Sequence, residues 1–93
     1  MPVLTPAEIE ARLSSLPDWN LQRGEIVRTF KFQDFLAAMR FVNQVAALAQ
    51  AAGHHPDIDI RCDKVRLAFV SHDAGGITEK DFALAAQVNP LFT

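Results

Sequence analysis

The hydrophobic period of this chain changes near Pro56, and that change restricts the folds open to the sequence. Between Phe35 and Ala49 apolar residues recur every three or four positions, whereas from Ile58 to Phe69 they alternate with other residues. A period of about 3.6 is typical of a helix with one buried side, and a period of two is typical of a strand with one buried face. We therefore expect a long helix followed directly by a β-hairpin.

Capping and turn residues mark the elements before the long helix. Residues Thr5 to Glu8 match a capping box and predict a first helix that runs to about Ser15. The turn dipeptide at positions 23 and 24, Arg-Gly, predicts a hairpin formed by strands over 18–22 and 25–32.

The ends of the second and third helices are also marked. Asp34 can cap the second helix, Gly53 is typical of the position just beyond a helix end, and Thr78 predicts the start of a third helix. The resulting order, α-β-β-α-β-β-α, predicts an α+β fold in which a four-stranded antiparallel sheet carries three helices on one face. At 93 residues we expect a single domain over residues 1–93.

All three histidines of the chain fall between positions 54 and 72. If Asp63 and Lys64 form the turn of the second hairpin, the register places His55 opposite His72, with His54 one residue further out. We therefore expect the three imidazoles to lie close together at the open end of the hairpin.

Four interpretations of this histidine cluster are open from the residues alone. The first is a set of polar loop residues without chemistry. A metal site is disfavoured, because the adjacent His54 and His55 point to opposite sides of an extended chain and no His-x-His pair is present. Nucleophilic catalysis is disfavoured, because neither Cys62 nor Ser71 is expected to face a histidine. General acid–base catalysis on a small polar substrate is favoured, because histidine gains and loses a proton near neutral pH.

The neighbouring helix ends predict different roles for two of the histidines. His54 follows the C-terminus of the second helix, whose partial negative charge favours imidazolium. His72 approaches the N-terminus of the third helix, whose partial positive charge favours the neutral ring. We therefore expect His54 to donate a proton and His72 to accept one.

Composition and the first residues of the chain limit which partners and which cellular compartment we expect. The net charge is −2 and the pI about 5.8, so we expect neither a nucleic-acid-binding nor a membrane-binding surface. The first residues lack the features of a secretory signal, and no apolar run approaches the roughly 20 residues of a membrane span. A single cysteine suits a reducing compartment, and we expect a cytoplasmic protein.

Two segments, His54 to Asp57 and Ser71 to Asp81, resemble the pterin-4a-carbinolamine dehydratases. The similarity extends to the Trp19 strand, to the Phe-x-Phe-x-x-Phe run that begins at Phe30, and to the last helix. The resemblance implies removal of water from 4a-hydroxytetrahydropterin to give quinonoid dihydropterin, which recycles the cofactor of aromatic amino acid hydroxylases. It implies no metal and no organic cofactor.

The resemblance also implies which residues act. The catalytic histidines of that family correspond to His54, His55 and His72. The resemblance implies that the first and third are acid–base candidates and that the second is tied to substrate binding. The residues expected to shape the substrate pocket are Pro56, Asp57, Asp73, Asp81 and Trp19.

Three positions depart from the family pattern. Gln50 stands where the family often has a glutamate, Ile58 where it often has an aromatic residue, and Cys62 where a tyrosine is frequent. Gln50 can hydrogen-bond to a histidine but cannot stabilise imidazolium by charge. Alternation places Ile58, Ile60 and Cys62 on the core face, so we interpret the other two departures as changes in packing.

The resemblance further implies a homodimer or homotetramer with a small-molecule pterin substrate. Some animal members also bind a transcription factor and stabilise its dimer. A protein-binding module with secondary or lost catalysis is therefore the alternative to an enzyme.

Overall fold

The computed structural model describes residues 2–92, and its elements follow the predicted order α-β-β-α-β-β-α. The helices are α1 (Pro6–Leu13), α2 (Phe35–Ala52) and α3 (Glu79–Val88), and a short 3-10 helix (Asn89–Leu91) follows α3. The strands are β1 (Asn20–Gln22), β2 (Glu25–Lys31), β3 (Asp57–Arg61) and β4 (Lys64–Phe69). The predicted α+β class is confirmed, and all strand pairs are antiparallel.

Capping residues explain where the first two helices begin and where α2 ends. The Thr5 hydroxyl accepts a hydrogen bond from the Glu8 amide, and the Glu8 carboxylate accepts one from the Thr5 amide, which is the predicted capping box. Asp34 caps α2 by accepting a hydrogen bond from the Ala37 amide at 2.8 Å. Gly53 ends α2 with a φ of 66°, a conformation that glycine adopts without steric cost.

The core lies between the three helices and one face of a sheet with the strand order β1-β2-β4-β3. Ile26 pairs with Phe69 and Phe30 pairs with Val65, so the buried residues of the central strands share that face. Helices α2 and α3 cover it with apolar residues that include Phe41, Val45, Phe82, Ala85 and Val88.

The turn of the second hairpin lies one residue earlier than predicted. Arg61 pairs with Lys64, so Cys62 and Asp63 form the turn, and the prediction of a turn at Asp63 and Lys64 is wrong. Cys62 takes a φ of 55°, while Lys64 stays in β4 and also pairs with Lys31 of β2. Asp63 accepts a hydrogen bond from Lys31 Nζ at 2.5 Å, which favours this turn over the predicted one.

The observed register changes the partner of His55. Pairing of β3 with β4 begins with Asp57 opposite Ala68, and its continuation leads from position 55 to Val70. The predicted pairing of His55 with His72 is therefore wrong. His72 lies beyond the end of β4, in a loop that a bridge between residues 71 and 76 closes.

The edge strand β3 exposes the apolar residues that were expected in the core. Ile58 and Ile60 lie opposite the buried Leu67 and Val65, so they face the helix side, yet they are 36% and 37% exposed. Cys62 lies in the turn and is exposed. The prediction of three core residues is wrong, because the core is built on the two central strands.

Candidate active site

Three histidines line one cavity at the end of the sheet where β4 stops. The cavity has a volume of about 390 Å³, and its walls are formed by Gly53, His54, His55, Val70, His72, Asp73 and Lys80. The expected proximity of the three imidazoles is confirmed, although the predicted register is not. The chain reaches this point through the end of α2 on one side and the loop after β4 on the other.

His54 is the most firmly held of the three. The left-handed Gly53 turns the chain, and the His54 amide donates to the carbonyl of Ala49 at 3.1 Å. The imidazole stacks on Phe69, with ring centroids 6.3 Å apart and planes 16° apart. Its Nε2 lies 2.5 Å from Asp81 Oδ1, and only 11% of the side chain is exposed. One edge of the ring is therefore fixed, and little of it meets solvent.

Asp81 is fully buried and is surrounded by hydrogen-bond donors. Its Oδ2 accepts hydrogen bonds from the Ser71 hydroxyl at 2.8 Å and from the Thr78 amide at 2.9 Å. The second of these bonds belongs to the capping box at the start of α3, so Asp81 also caps that helix. Because its Oδ1 faces His54, the same carboxylate joins the helix end to the cavity. A carboxylate near a helix N-terminus is also stabilised by the helix dipole.

His55 occupies a more exposed wall of the cavity. Its Nε2 lies 3.0 Å from Gln50 Oε1, across the end of α2. With the Gln50 amide in this orientation its oxygen accepts, and His55 Nε2 is the donor. Gln50 thus orients the ring by a neutral hydrogen bond, where a glutamate would add a charge.

His72 lies beside two carboxylates on the sheet face away from the helices. Ligand atoms of Glu25, Asp57 and His72 all lie within 4.8 Å of one another. Glu25 precedes the core residue Ile26, and Asp57 pairs with Ala68, so both belong to the face opposite the core. Two carboxylates and an imidazole at this spacing could hold a divalent cation, or could stabilise positive charge on the ring.

The other expected pocket residues differ in their distance from the cavity. Asp73 is exposed and lines the histidine cavity, and it also lines a neighbouring cavity of about 310 Å³ together with Ser71 and Thr78. Pro56 is half-buried and lies between His55 and the start of β3.

Trp19 lies in the core rather than on a pocket wall. It is 2% exposed, precedes β1, and packs on Phe30 and Phe69 with ring centroids 6.1 and 5.8 Å apart. Its Nε1 donates to Asn89 Oδ1 at 2.8 Å. Trp19 therefore reaches the site only through Phe69, the ring on which His54 stacks.

Sequence reasoning missed Ser71, Thr78 and Glu25 as neighbours of the functional residues. Thr78 was recognised only as a helix cap, and Ser71 was set aside because its side chain was expected to point away from His72. It does point away, into the buried contact with Asp81. Glu25 could have been found only from the pairing of β2 with β4, which the sequence does not specify.

Comparison with known proteins assigns the chain to a family. The sequence model of the family described as Pterin 4 alpha carbinolamine dehydratase matches residues 2–91. This chain belongs to that family. The pterin carbinolamine dehydratase family is therefore the framework for interpreting the three histidines.

Individual relatives cover nearly the whole chain. A protein of Acidobacterium capsulatum with the provisional name pterin-4-alpha-carbinolamine dehydratase is 64% identical over 91 residues, which are 98% of this chain and 99% of the relative. A protein of Chloroflexus aurantiacus with the same provisional name is 60% identical, at 98% coverage of both chains. A crystal structure from Brucella melitensis, described as a transcriptional coactivator/pterin dehydratase, is 31% identical, has a TM-score of 0.93, and covers 98% of this chain and 99% of its own.

Within residues 2–92, no helix is both long enough and apolar enough to cross a membrane.

Proposed function

We propose that this chain removes water from 4a-hydroxytetrahydropterin to give quinonoid dihydropterin by histidine acid–base catalysis, and so recycles a tetrahydropterin cofactor. The observation that carries the proposal is the buried His54–Asp81 pair at the wall of the histidine cavity. A carboxylate behind an imidazole fixes the orientation of the ring and stabilises its protonated form. The cavity volume of about 390 Å³ also suits a small ligand, since such pockets span about 300–1,000 Å³.

The reaction needs one proton to be given and one to be taken. His54 donates a proton to the 4a-hydroxyl, the bond between that oxygen and C4a breaks, and water leaves. His72 takes the proton that the pterin nitrogen loses, and the Glu25 and Asp57 carboxylates stabilise the resulting imidazolium. Each general acid or base contributes about 10²- to 10⁴-fold to the rate. The site returns to its starting state when His72 passes its proton to solvent and His54 regains one.

Of the other predicted residues, some contact the substrate and others orient His54. His55 and Asp73 line the cavity directly, and Pro56 and Asp57 fix the start of β3 beside it. Asp81 acts through His54, and Trp19 packs on Phe69, the ring on which His54 stacks. No metal or organic cofactor enters the proposed steps.

The test is a dehydration assay on freshly formed 4a-hydroxytetrahydropterin, with the spontaneous rate subtracted. We expect His54→Ala and His72→Ala each to lose about 10²-fold or more of the rate. Gln87→Ala, an exposed substitution on α3, is the matched control and should keep the parent rate. Full activity in both histidine variants would refute the assignment.

A protein-binding module is the second candidate. The name of the Brucella melitensis structure joins coactivator and dehydratase, so the two activities are associated in a relative at 31% identity. A pull-down that captures a specific protein partner, combined with no turnover by the parent chain, would favour this alternative.

The assembly and the compartment are also proposals. We propose a homodimer or homotetramer, because the edge strand β3 leaves backbone groups unpaired and carries the exposed Ile58 and Ile60. We propose a cytoplasmic compartment because a single cysteine suits a reducing environment. Light scattering on the purified chain tests the assembly, and a monomer at all concentrations would contradict it.

A further inference from the structure

The hydroxyl groups around Asp81 form a chain with a definite direction. Ser71 Oγ lies 2.8 Å from Thr78 Oγ1 and 2.8 Å from Asp81 Oδ2. A carboxylate oxygen accepts hydrogen bonds, so the single hydroxyl proton of Ser71 points to Asp81. Thr78 must then donate its hydroxyl proton to Ser71, while its Oγ1 accepts from the Lys80 amide at 3.2 Å.

The same hydrogen bonds bear on the proton between Asp81 and His54. Oδ2 already has two donors, the Ser71 hydroxyl and the Thr78 amide, and an amide cannot act as an acceptor there. Both contacts therefore suit an ionised carboxylate. An ionised Asp81 accepts at Oδ1 from His54 Nε2, which then carries a proton.

The second ring nitrogen of His54 is left to face the cavity. Nδ1 has no hydrogen-bond partner within residues 2–92, and no buried side-chain nitrogen or oxygen of that range lacks one. Nδ1 must therefore reach solvent, although only 11% of the His54 side chain is exposed. In the neutral ring this atom has a lone pair, and in the imidazolium it has a proton to give.

We propose that Ser71 is a positioning residue that acts through Asp81 to hold His54 in the tautomer whose Nδ1 exchanges protons in the cavity. The proposal rests on the proposed function for the fate of that proton, but not for the tautomer. Ser71 is suited to the role because it is 3% exposed and its backbone is fixed by hydrogen bonds to Gly76 and Gly75 at 3.0 Å. Water cannot readily replace its hydroxyl.

The first test measures the tautomer of His54 by long-range ¹H–¹⁵N NMR with the ring neutral, and a His54→Gln sample assigns the signals. We expect the proton on Nε2 in the parent chain and in Ser71→Thr, which keeps the hydroxyl. Ser71→Ala leaves the Asp81 carboxylate held by the Thr78 amide alone, so that it can turn away from His54 Nε2, and should show a mixture of both tautomers. Ser14→Ala removes an exposed hydroxyl far along the chain on the C-cap of α1, and should change nothing.

The second test measures turnover in the same variants. Ser71→Ala should lower kcat by roughly 10- to 100-fold with little change in KM, since a hydrogen bond to a charged group is lost while the cavity wall is kept. Ser71→Thr should restore most of the rate. An effect on folding alone would lower the amount of active protein without changing the tautomer.

The outcomes separate this proposal from the proposed function. A proton on Nδ1 of the parent His54 overturns the proposal, even if Ser71→Ala fails to fold. A folded Ser71→Ala with the parent tautomer and rate also overturns it. If the parent chain has the Nε2 proton and Ser71→Ala disturbs it, but neither protein dehydrates the pterin, the positioning role stands and the proposed function fails.

Discussion

Asp81→Asn tests most directly how the buried carboxylate controls His54. Asparagine keeps the shape of aspartate, but one of its two polar atoms becomes a donor. Its oxygen has to stay towards Ser71 and Thr78, because both groups donate there, at 2.8 and 2.9 Å. The amide nitrogen then faces His54 Nε2, which must become an acceptor. We therefore expect the ring proton to move from Nε2 to Nδ1.

The expected loss of stability is modest, because all three hydrogen bonds can form again in neutral versions. A hydrogen bond to a charged group contributes about 1.5–3 kcal/mol and a neutral one about 0.5–1.5 kcal/mol. Removal of a fully buried charge offsets part of the difference, which leaves a destabilisation of about 1–2 kcal/mol. In a domain of this size that lowers Tm by about 4–16 °C.

The expected loss of activity is larger than the loss of stability. With its proton on Nδ1, the neutral His54 presents a donor where the parent ring presents a lone pair, and the imidazolium is no longer stabilised by a carboxylate. A wrong tautomer of a catalytic histidine lowers kcat by about 10⁴-fold in a comparable case, and loss of a general acid or base lowers the rate by about 10²- to 10⁴-fold. We therefore expect a fall in kcat of about 10²- to 10⁴-fold.

The assay combines thermal unfolding by circular dichroism, initial rates of dehydration and the NMR tautomer of His54. Asp34→Asn is the matched control, because Asp34 also caps a helix by a side-chain hydrogen bond but contacts no histidine. That control should keep the parent kcat. An Asp81→Asn protein with kcat within about threefold of the parent would show that His54 does not depend on the carboxylate, and would refute the reasoning.

Three further substitutions test the surrounding structure. Gly53→Ala places a side chain at a φ of 66°, where no atom of residues 2–92 beyond the chain neighbours lies within 4 Å. The substitution should therefore cost about 1 kcal/mol of backbone strain without a clash and lower Tm by about 4–8 °C, and Gly53→Asn should be milder. A hydrogen bond from Lys31 lowers the pKa of Asp63 below its usual 3.8. The pair therefore stabilises the fold above about pH 4 and loses this effect as the pH falls through the lowered pKa. The difference in urea midpoint between the parent and Asp63→Asn should be present at neutral pH and disappear in strong acid. Trp19→Phe removes the bond to Asn89 and part of a buried ring, and should destabilise by about 1–3 kcal/mol in chemical denaturation, whereas an unchanged midpoint would contradict the core role.

The element order could be predicted because local chemistry and hydrophobic period agree in this chain. The Thr5 and Thr78 capping boxes and the Gly53 helix end each satisfy backbone groups within a few residues, so the sequence contains both partners of each contact. Exposure of β3 could not be predicted in the same way. Whether Ile58 and Ile60 are covered depends on the width of the helix layer, which no local pattern reports.

The hairpin register shows a more specific limit of hydrophobic patterning. Moving the turn from positions 63–64 to 62–63 shifts each partner by two residues, and a shift of two leaves every side chain on its original face. Burial therefore could not distinguish the two registers. The hydrogen bond between Lys31 and Asp63, which joins strands distant in sequence, favours the observed register, whereas the positive φ of Cys62 counts against it.

Asp81 shows why the contacts of the site could be found only from the structure, even though its residues were predicted. Its place in the first turn of α3 already accounts for a carboxylate, so sequence reasoning had no local ground for a second partner. The second partner, His54, lies at the end of another helix and comes within 2.5 Å only because α2 and α3 pack on the same sheet face. One buried group thereby serves both the helix cap and the imidazole, so a substitution at Asp81 should disturb α3 and His54 together. Ser71→Ala separates the two effects better, because the Ser71 hydroxyl contacts Asp81 and the Thr78 hydroxyl but is not itself bonded to a backbone amide of α3.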